Sequence, residues 1–563
     1  MRIEPISGSK FLAKMLKGYG VTTVFWVPSV LRSTLLEIEK LGIKKVVCHS
    51  EKAAAYMADG YARATKRPGV AIAQSVGAAN MAAGLQDAYL GQSPVIALTG
   101  RWPAVLRDKH AYQEIDHWPL YEPVTKFNSY VDSVDELPFY IRQAFREATS
   151  GAPGPVHLDL LGLDGSSAVD QEGNLEFYIE EEYKQYPSHR PSTNPEIARA
   201  AIELIEHSSK PVIVAGGGAT ASGASREIVR LSEALSIPVA TSLNGKGLIN
   251  EKHELSAGVT GTYSRESANR IVSESDLVIF LGSQTGGQVT HFWEVPNKTA
   301  KFIQVNITPN ELGRNYPADV SILGDVRETL RMFLEVIKAS DYETKDRTQW
   351  LSRVSEIKDQ WLEKSRALLN SDDTPIRPER LCNEISDFLP EDGILVSDTG
   401  HSGIWTGTMV ELRKPGQKYL RCAGSLGWAF PAALGAKCAE PDKAVVCFTG
   451  DGGFWYHLSE METAVRAGIN TITVVNNNRS LNQDRGSVKN LYKDFPEGKS
   501  DEHWVFEDVN FAEIASTIGC LGIRVEHPGD IRSALDQALV SDKPVIIDVV
   551  TDITAAAPPP YSP

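Results

Sequence analysis

Short apolar runs recur along the chain, often introduced by proline and followed by glycine or aspartate: Pro94 to Leu98, Pro155 to Leu158, Pro211 to Ala215, Ala444 to Phe448 and Pro544 to Ile547. Amphipathic segments of about 10 to 15 residues separate them. Continuous apolar runs of this length suit strands covered on both faces, as in a parallel sheet, and the amphipathic segments suit crossover helices. The pattern predicts an α/β chain. Two stretches break the rhythm and read as linkers: Ser167 to Pro195, rich in Tyr, Glu and Pro, and Ala339 to Pro378, which is highly charged and helical with no strand signal. They divide the chain into blocks at 1–185, 190–345 and 375–563, each with enough strands for its own doubly wound parallel sheet.

Length agrees, since 563 residues exceed what one hydrophobic core organises. With 42% hydrophobic and 23% charged residues, the composition excludes disordered, collagen-like and coiled-coil chains. A formal charge of −15 argues against nucleic acid or an anionic membrane as partner, so an anionic ligand needs a local device. The six cysteines form no CxxC pair, which points to free thiols in a reducing compartment. The N-terminus has no continuous apolar core, and no stretch reaches the ~18 apolar residues of a membrane span. A cytoplasmic protein is expected.

The strongest chemical signal lies in the third block. AVVCFTGDGGF sets a buried strand before Gly450, Asp451, Gly452 and Gly453; an amphipathic helix and a second strand follow, ending in Asn476, Asn477 and Asn478. Glycines after a strand let backbone N–H groups approach a phosphate, and the helix adds its positive end. In a right-handed βαβ unit the C-terminal ends of adjacent strands lie side by side, so Asp451 and Asn478 can offer oxygens to one Mg²⁺ that also binds a diphosphate.

The segment GDGGFWYHLSEMETAVRAGINTITVVNNNRS resembles the diphosphate-binding motif of thiamine diphosphate (ThDP) enzymes. The resemblance implies Asp451, the Asn478 side chain and the Ser480 carbonyl as Mg²⁺ ligands. HSEKAAAYMADGYARAT at 49–65 resembles the N-terminal signature of the acetolactate synthase and pyruvate oxidase-like members. It puts Glu51 at the aminopyrimidine, where a buried carboxyl sharing a proton with the ring stabilises the tautomer that activates the cofactor. AGSLGWAFPAALGAK at 423–437 resembles the segment beneath the cofactor, with Gly424 and Ser425 beside Leu426, the apolar side chain that holds the two rings in a V. AYQEIDHWPLYEPVTKFN resembles the segment whose glutamine, here Gln113, faces the reacting carbonyl. SDTGHSGIW follows a segment with diphosphate contacts, which makes His401 and Ser402 candidates.

The similarity spans the whole chain and implies pyrimidine-binding, central and diphosphate-binding domains. It also implies a homodimer or homotetramer, with Glu51 of one subunit facing Asp451 of the next. The implied activity is a lyase or carboligase on 2-oxo acids or related dicarbonyl compounds. A decarboxylase, a dione C–C hydrolase, an acetyltransferase and a catalytically silent subunit are the alternatives. After the metal asparagine this chain reads Ser480, Leu481, Asn482, Gln483, Asp484, Arg485 where the family is apolar, which predicts a polar partner substrate because burying unpaired amides or carboxylates is costly. The central block, with PVIVAGGGATASG, resembles the group's FAD-binding or vestigial domain. Its GSQTGG at 282–287 lacks the charged residues of the flavin-binding members, so FAD stays an open expectation.

Overall fold

A computed structural model describes the backbone of residues 2–339 and 345–563. The expected end of the central block at 345 adjoins residues 340–344, which lie outside the described residues. The chain builds three parallel sheets of six strands each. The first runs, edge to edge, Lys44–Val47, Thr23–Trp26, Gly69–Ala73, Val95–Arg101, Val156–Leu161, Phe127–Val131. The third runs Lys418–Arg421, Ile394–Ser397, Val445–Gly450, Ile472–Asn477, Val545–Val550, Leu521–Val525. Counted along the chain, both have the order 2-1-3-4-6-5. The central sheet, from Ser256–Val259 through Val239–Thr241, Pro211–Ala215, Leu277–Leu281 and Lys301–Asn306 to Val320–Leu323, has the order 3-2-1-4-5-6. The apolar runs of the sequence are these strands, and Val95–Leu98, Val156–Leu160 and Val445–Thr449 are buried throughout.

Topology places the sites. In a doubly wound sheet the strand order reverses at one point, where the flanking loops diverge and leave a crevice at the carboxyl ends. In the third sheet the reversal lies between Ile394–Ser397 and Val445–Gly450, the strands that lead into Asp398 and Asp451. In the central sheet it lies between Pro211–Ala215 and Leu277–Leu281, which lead into Gly216–Gly218 and Gly282.

Both stretches read as linkers contain structure. Within the first, Glu172–Phe177 pairs antiparallel with Arg2–Ser7. Period-2 alternation in EGNLEF is weak, so only the partner strand makes it a strand. The second holds the helix Thr348–Leu369, whose Trp350, Val354 and Ile357 are buried against the central block.

The first and third blocks meet along two alanine-rich helices, Glu51–Thr65 and Ala429–Ala439. A Cβ on Gly60 would stand 2.0 Å from the Ala432 carbonyl oxygen, and one on Gly435 1.8 Å from that of Met57. Only glycine allows this backbone approach. At the same seam the buried Arg63 guanidinium bridges Asp59 (2.7 Å) and Asp87 (3.3 Å) and lies 4.7 Å from the Trp428 ring, whose Nε1–H donates to Asp59. The charges are paired, as burial requires.

Candidate active site

Parallel pairing sets Gly450 opposite Asn476 at the ends of adjacent strands. Asp451 is therefore the first residue of a short helix, Asp451–Phe454, and Asn478 lies just beyond its strand. The Asp451 carboxylate accepts the Gly452 N–H at one oxygen and the Ser480 N–H at the other, both at 2.8 Å. The Ser480 hydroxyl donates to Asn478 Oδ1 at 2.8 Å. Between them Arg479 takes a left-handed conformation, φ 57°, which turns the chain back toward Asp451. Asp451, Asn478 and Ser480 are all buried.

Burial pushes the Asp451 carboxyl up to about 7, even with the Gly452 and Ser480 amides donating to it. Among the described residues no cationic side chain pairs with it. A buried carboxylate without a counter-ion, beside an amide oxygen and a turn carbonyl, suits a hard divalent cation with oxygen ligands. Mg²⁺ fits this donor set. Gly452 is tightly hemmed, since a Cβ there would lie 2.6 Å from Leu481 Cδ2, and a Cβ on Gly450 would meet Ser402 Oγ at 3.5 Å. Ser402, Gly450, Gly452 and the metal candidates thus come together. Gly453 faces inward instead, against Asp398 and Thr449.

Sequence reasoning missed Asp398, which organises this end of the sheet. Fully buried, it accepts N–H groups from Thr399 (2.8 Å), Gly427 (3.1 Å) and Ala429 (3.3 Å) and the Thr449 hydroxyl (3.2 Å). Burial raises its carboxyl to about 6 against these donors. A charged residue directly after a fully buried strand was the available signal. Asp87, also missed, accepts the N–H groups of Ala423 (2.8 Å), Gly424 and Ser425 (3.2 Å each). Two carboxylates, one from each block, therefore hold the segment carrying Gly424, Ser425 and Leu426 at both ends. Leu426 is half-buried and Gly424 exposed. His401 begins the helix His401–Thr408; its Nδ1 is buried without a partner, and burial lowers the imidazole to about 4.

Glu51 and Gln113 belong to a separate wall. Glu51 opens its helix behind the Ser50 cap, and Asn80 Nδ2 donates to its carboxylate at 2.7 Å. It is half-buried in the single chain, not buried as expected. A Cβ on Gly77 would stand 2.5 Å from Glu51 Oε1, so this glycine leaves the carboxyl its place. Gln113 is left-handed, φ 59°, with Oε1 buried and unpartnered. Among the described residues no hydrogen bond or ion pair joins Glu51 or Gln113 to the Asp451 cluster.

The polar stretch after Asn478 divides. Asn482 is buried, with Oδ1 unpartnered, and Gln483 Oε1 stands 2.8 Å from where a Cβ on Gly400 would be. Asp484 faces solvent, and Arg485 donates to the Thr554 carbonyl of the C-terminal segment. Of the predicted polar wall, Ser480 and Asn482 are therefore buried, whereas Gln483 and Asp484 are exposed.

Three family models of thiamine pyrophosphate enzymes, another name for ThDP enzymes, match the chain: the N-terminal TPP binding domain at residues 6–120, the central domain at 198–333 and the C-terminal TPP binding domain at 398–549. A probable acetolactate synthase large subunit of Methanocaldococcus jannaschii is 35% identical over 98% of this chain and 93% of its own length. The acetolactate synthase large subunit of Corynebacterium glutamicum is 31% identical over 97% of this chain and 87% of its own. The Escherichia coli isozyme 3 large subunit is 28% identical over 98% and 96%. With three matched domains and relatives aligned along nearly its whole length, the chain belongs to the acetolactate synthase-like thiamine diphosphate enzymes.

Proposed function

We propose that this protein is a ThDP- and Mg²⁺-dependent lyase and carboligase of 2-oxo acids or related dicarbonyl compounds, with a polar partner substrate. The observation that carries the reading is the buried Asp451 carboxylate, held by two amides beside Asn478 and without a cationic partner among the described residues, at the switch point of the third sheet. Asp451, Asn478 and the Ser480 carbonyl hold the cation; Gly450, Gly452 and Ser402 line the diphosphate, and Leu426 supports the rings. When bound, ThDP would supply a nucleophilic carbon for 2-oxo carbonyl compounds and an electron sink for C–C bond cleavage.

The chain's residues do the rest. Glu51 holds a proton toward the aminopyrimidine ring. Gln113 offers a neutral amide to an oxygen that gains charge, where a preoriented dipole counts most. Asn482 and Gln483 present polar groups to the partner substrate. A homodimer completes the site by bringing Glu51 of one subunit to Asp451 of the other. In support, Val76, Tyr112 and Ile115 beside Glu51 and Gln113 are exposed apolar residues. A cytoplasmic location belongs to the same reading, in keeping with six free cysteines. Among the described residues no helix is long and apolar enough to cross a membrane.

FAD would lie in a cleft of about 360 Å³ at the central switch point. Two of its glycine amides are already committed, Gly216 to the Leu281 carbonyl (2.8 Å) and Gly218 to that of Gly282 (2.9 Å). The facing 282–288 loop has no charged side chain, and Lys66 on the cleft wall donates to the Thr220 and Ala221 carbonyls. Arg421 also lines the cleft and donates to Asn244; with it, Lys66, Gly216 and Gly218 all engaged, these residues do not fit the diphosphate of FAD, and no step runs through it. Flavin absorption by the purified protein at one equivalent would overturn this.

The function is tested by incubating the ThDP–Mg²⁺ holoenzyme with a panel of 2-oxo acids and diones and identifying products by mass. Ligation to a polar acceptor is expected. Efficient synthesis from pyruvate and 2-ketobutyrate would sink the polar-acceptor reading, and a protein inert toward every member would sink the carboligase.

A further inference from the structure

Beneath the Gln113 segment lies a buried polar cluster that the chemistry above does not use. Asp159, on the strand Val156–Leu161, accepts the Thr99 hydroxyl at one oxygen (2.8 Å) and meets His117 Nδ1 at the other (3.0 Å). The second His117 nitrogen, Nε2, meets the Ser75 carbonyl at 2.9 Å. A carbonyl only accepts, so Nε2 carries a proton. Burial alone would raise Asp159, but the hydrogen bond from His117 and the adjoining imidazoles hold it below the usual carboxylate range. Asp159 is thus an acceptor, and His117 spans it and Ser75. The cluster is closed by His157, which meets the Thr99 hydroxyl and stacks on Tyr121 at 3.5 Å, while the Tyr121 hydroxyl donates to the Ala78 carbonyl. His117, Asp159 and His157 are all almost fully buried.

What this cluster grips is informative. Ser75 is the first residue of the helix Ser75–Leu90, whose preceding residue Gln74 makes no side-chain cap. Its hydroxyl donates to the Gln113 carbonyl at 2.7 Å, fixing a residue held in a left-handed conformation. Two residues along, Gly77 packs on the Glu51 carboxyl, and Asn80 donates to it. One helix turn therefore touches both groups of the pyrimidine-side wall, and His117 anchors that turn to the sheet. A left-handed glutamine is strained and persists only where its surroundings enforce it.

We propose that His117 and Asp159 are positioning residues, acting through Ser75 to hold Gln113 and the helix turn against Glu51 in their working geometry. The proposal rests on the reading of Gln113 as the group facing the substrate carbonyl. A side chain misplaced by about 1 Å can cost up to about 100-fold in rate, whereas a cluster that merely satisfies the core would alter stability alone.

Ser75→Ala removes the hydroxyl tie and leaves the His117–Asp159 pair in place. With pyruvate, or whichever donor of the panel turns over fastest, its kcat should fall about tenfold, inside the range expected for misplacement. ThDP affinity and melting temperature should stay as in the wild type. Ser75→Ala combined with Gln113→Ala should be no slower than Gln113→Ala alone, because both changes remove one function. His117→Gln keeps a donor near Nε2 and should retain most of the kcat; His117→Asn keeps one only near Nδ1 and should match Ser75→Ala. Wild-type kcat for Ser75→Ala, or additive losses in the double variant, would overturn the proposal. Full turnover by Gln113→Ala would overturn the reading of Gln113 and this proposal together.

Discussion

The two walls of the site are built differently. On the diphosphate side, Asp451, Asn478 and Ser480 come from one βαβ unit, and backbone amides fix the carboxylate within a single chain. On the pyrimidine side, Glu51 and Gln113 stand on separate elements, half-exposed, and reach their geometry through Gly77, Asn80 and Ser75. In the function proposed above, the first wall is a binding device completed by local geometry. The second is then a reactive device that depends on long-range packing and, in the proposed dimer, on another subunit. Binding and chemistry should therefore separate under mutation.

The largest effect is expected from Asp451→Ala, which removes the carboxylate of the proposed cation site. ThDP binding with Mg²⁺ and turnover should be lost together, the latter by more than about 1,000-fold, as measured by titration and product formation. Glu51→Gln should come next, with turnover down about 100- to 10,000-fold, the range for a lost acid–base group, and cofactor binding kept. Gly77→Ala sharpens the contrast, since the new methyl must displace the Glu51 carboxyl and nothing on the diphosphate side. A kcat loss of about tenfold with unchanged ThDP affinity is expected, within the cost of misplacing a reacting group; wild-type kcat would show that the carboxyl has room.

The smallest effect concerns pH. Burial lowers His157 to about 3 from an ordinary 6.5, although the Asp159 charge opposes this. It stays neutral in the folded protein, while the unfolded chain takes up a proton below about 6.5. Its contribution to stability is therefore complete above that pH and is lost as pH falls, with a slope of at most about 1.4 kcal/mol per pH unit. The raised carboxyls of Asp398 and Asp451 act in the opposite direction over much of the same window. The readout is accordingly the difference between wild type and His157→Asn in urea unfolding from pH 7 to 5. The variant should lose less stability on acidification, and parallel curves would refute the assignment.

The same contrast explains what could be read from the sequence. Strand, glycine turn, helix, strand and asparagines are consecutive, so the meeting of Asp451 with the asparagine run was legible from spacing; the choice of Asn478 came from the family resemblance, and the three sheets from the apolar runs. Asp398 and Asp87 were not, because their partners lie at 427–429 and 423–425, and no local pattern shows which amides a buried aspartate will collect. His117 and Asp159 are 42 residues apart and meet only when their sheet forms. The strand Glu172–Phe177 was missed for the same reason, since its partner is the N-terminus. Asp484, read as part of a polar pocket, faces solvent because the turn after Asn482 carries it outward.

Separation of binding from chemistry is tested most directly by titrating ThDP, with saturating Mg²⁺, into Asp451→Ala and Glu51→Gln side by side and assaying the same samples for turnover. Asp451→Ala should neither bind nor react; Glu51→Gln should bind like the wild type and scarcely react. Wild-type binding by Asp451→Ala, or wild-type turnover by Glu51→Gln, would contradict the division of the site into a binding wall and a reactive wall.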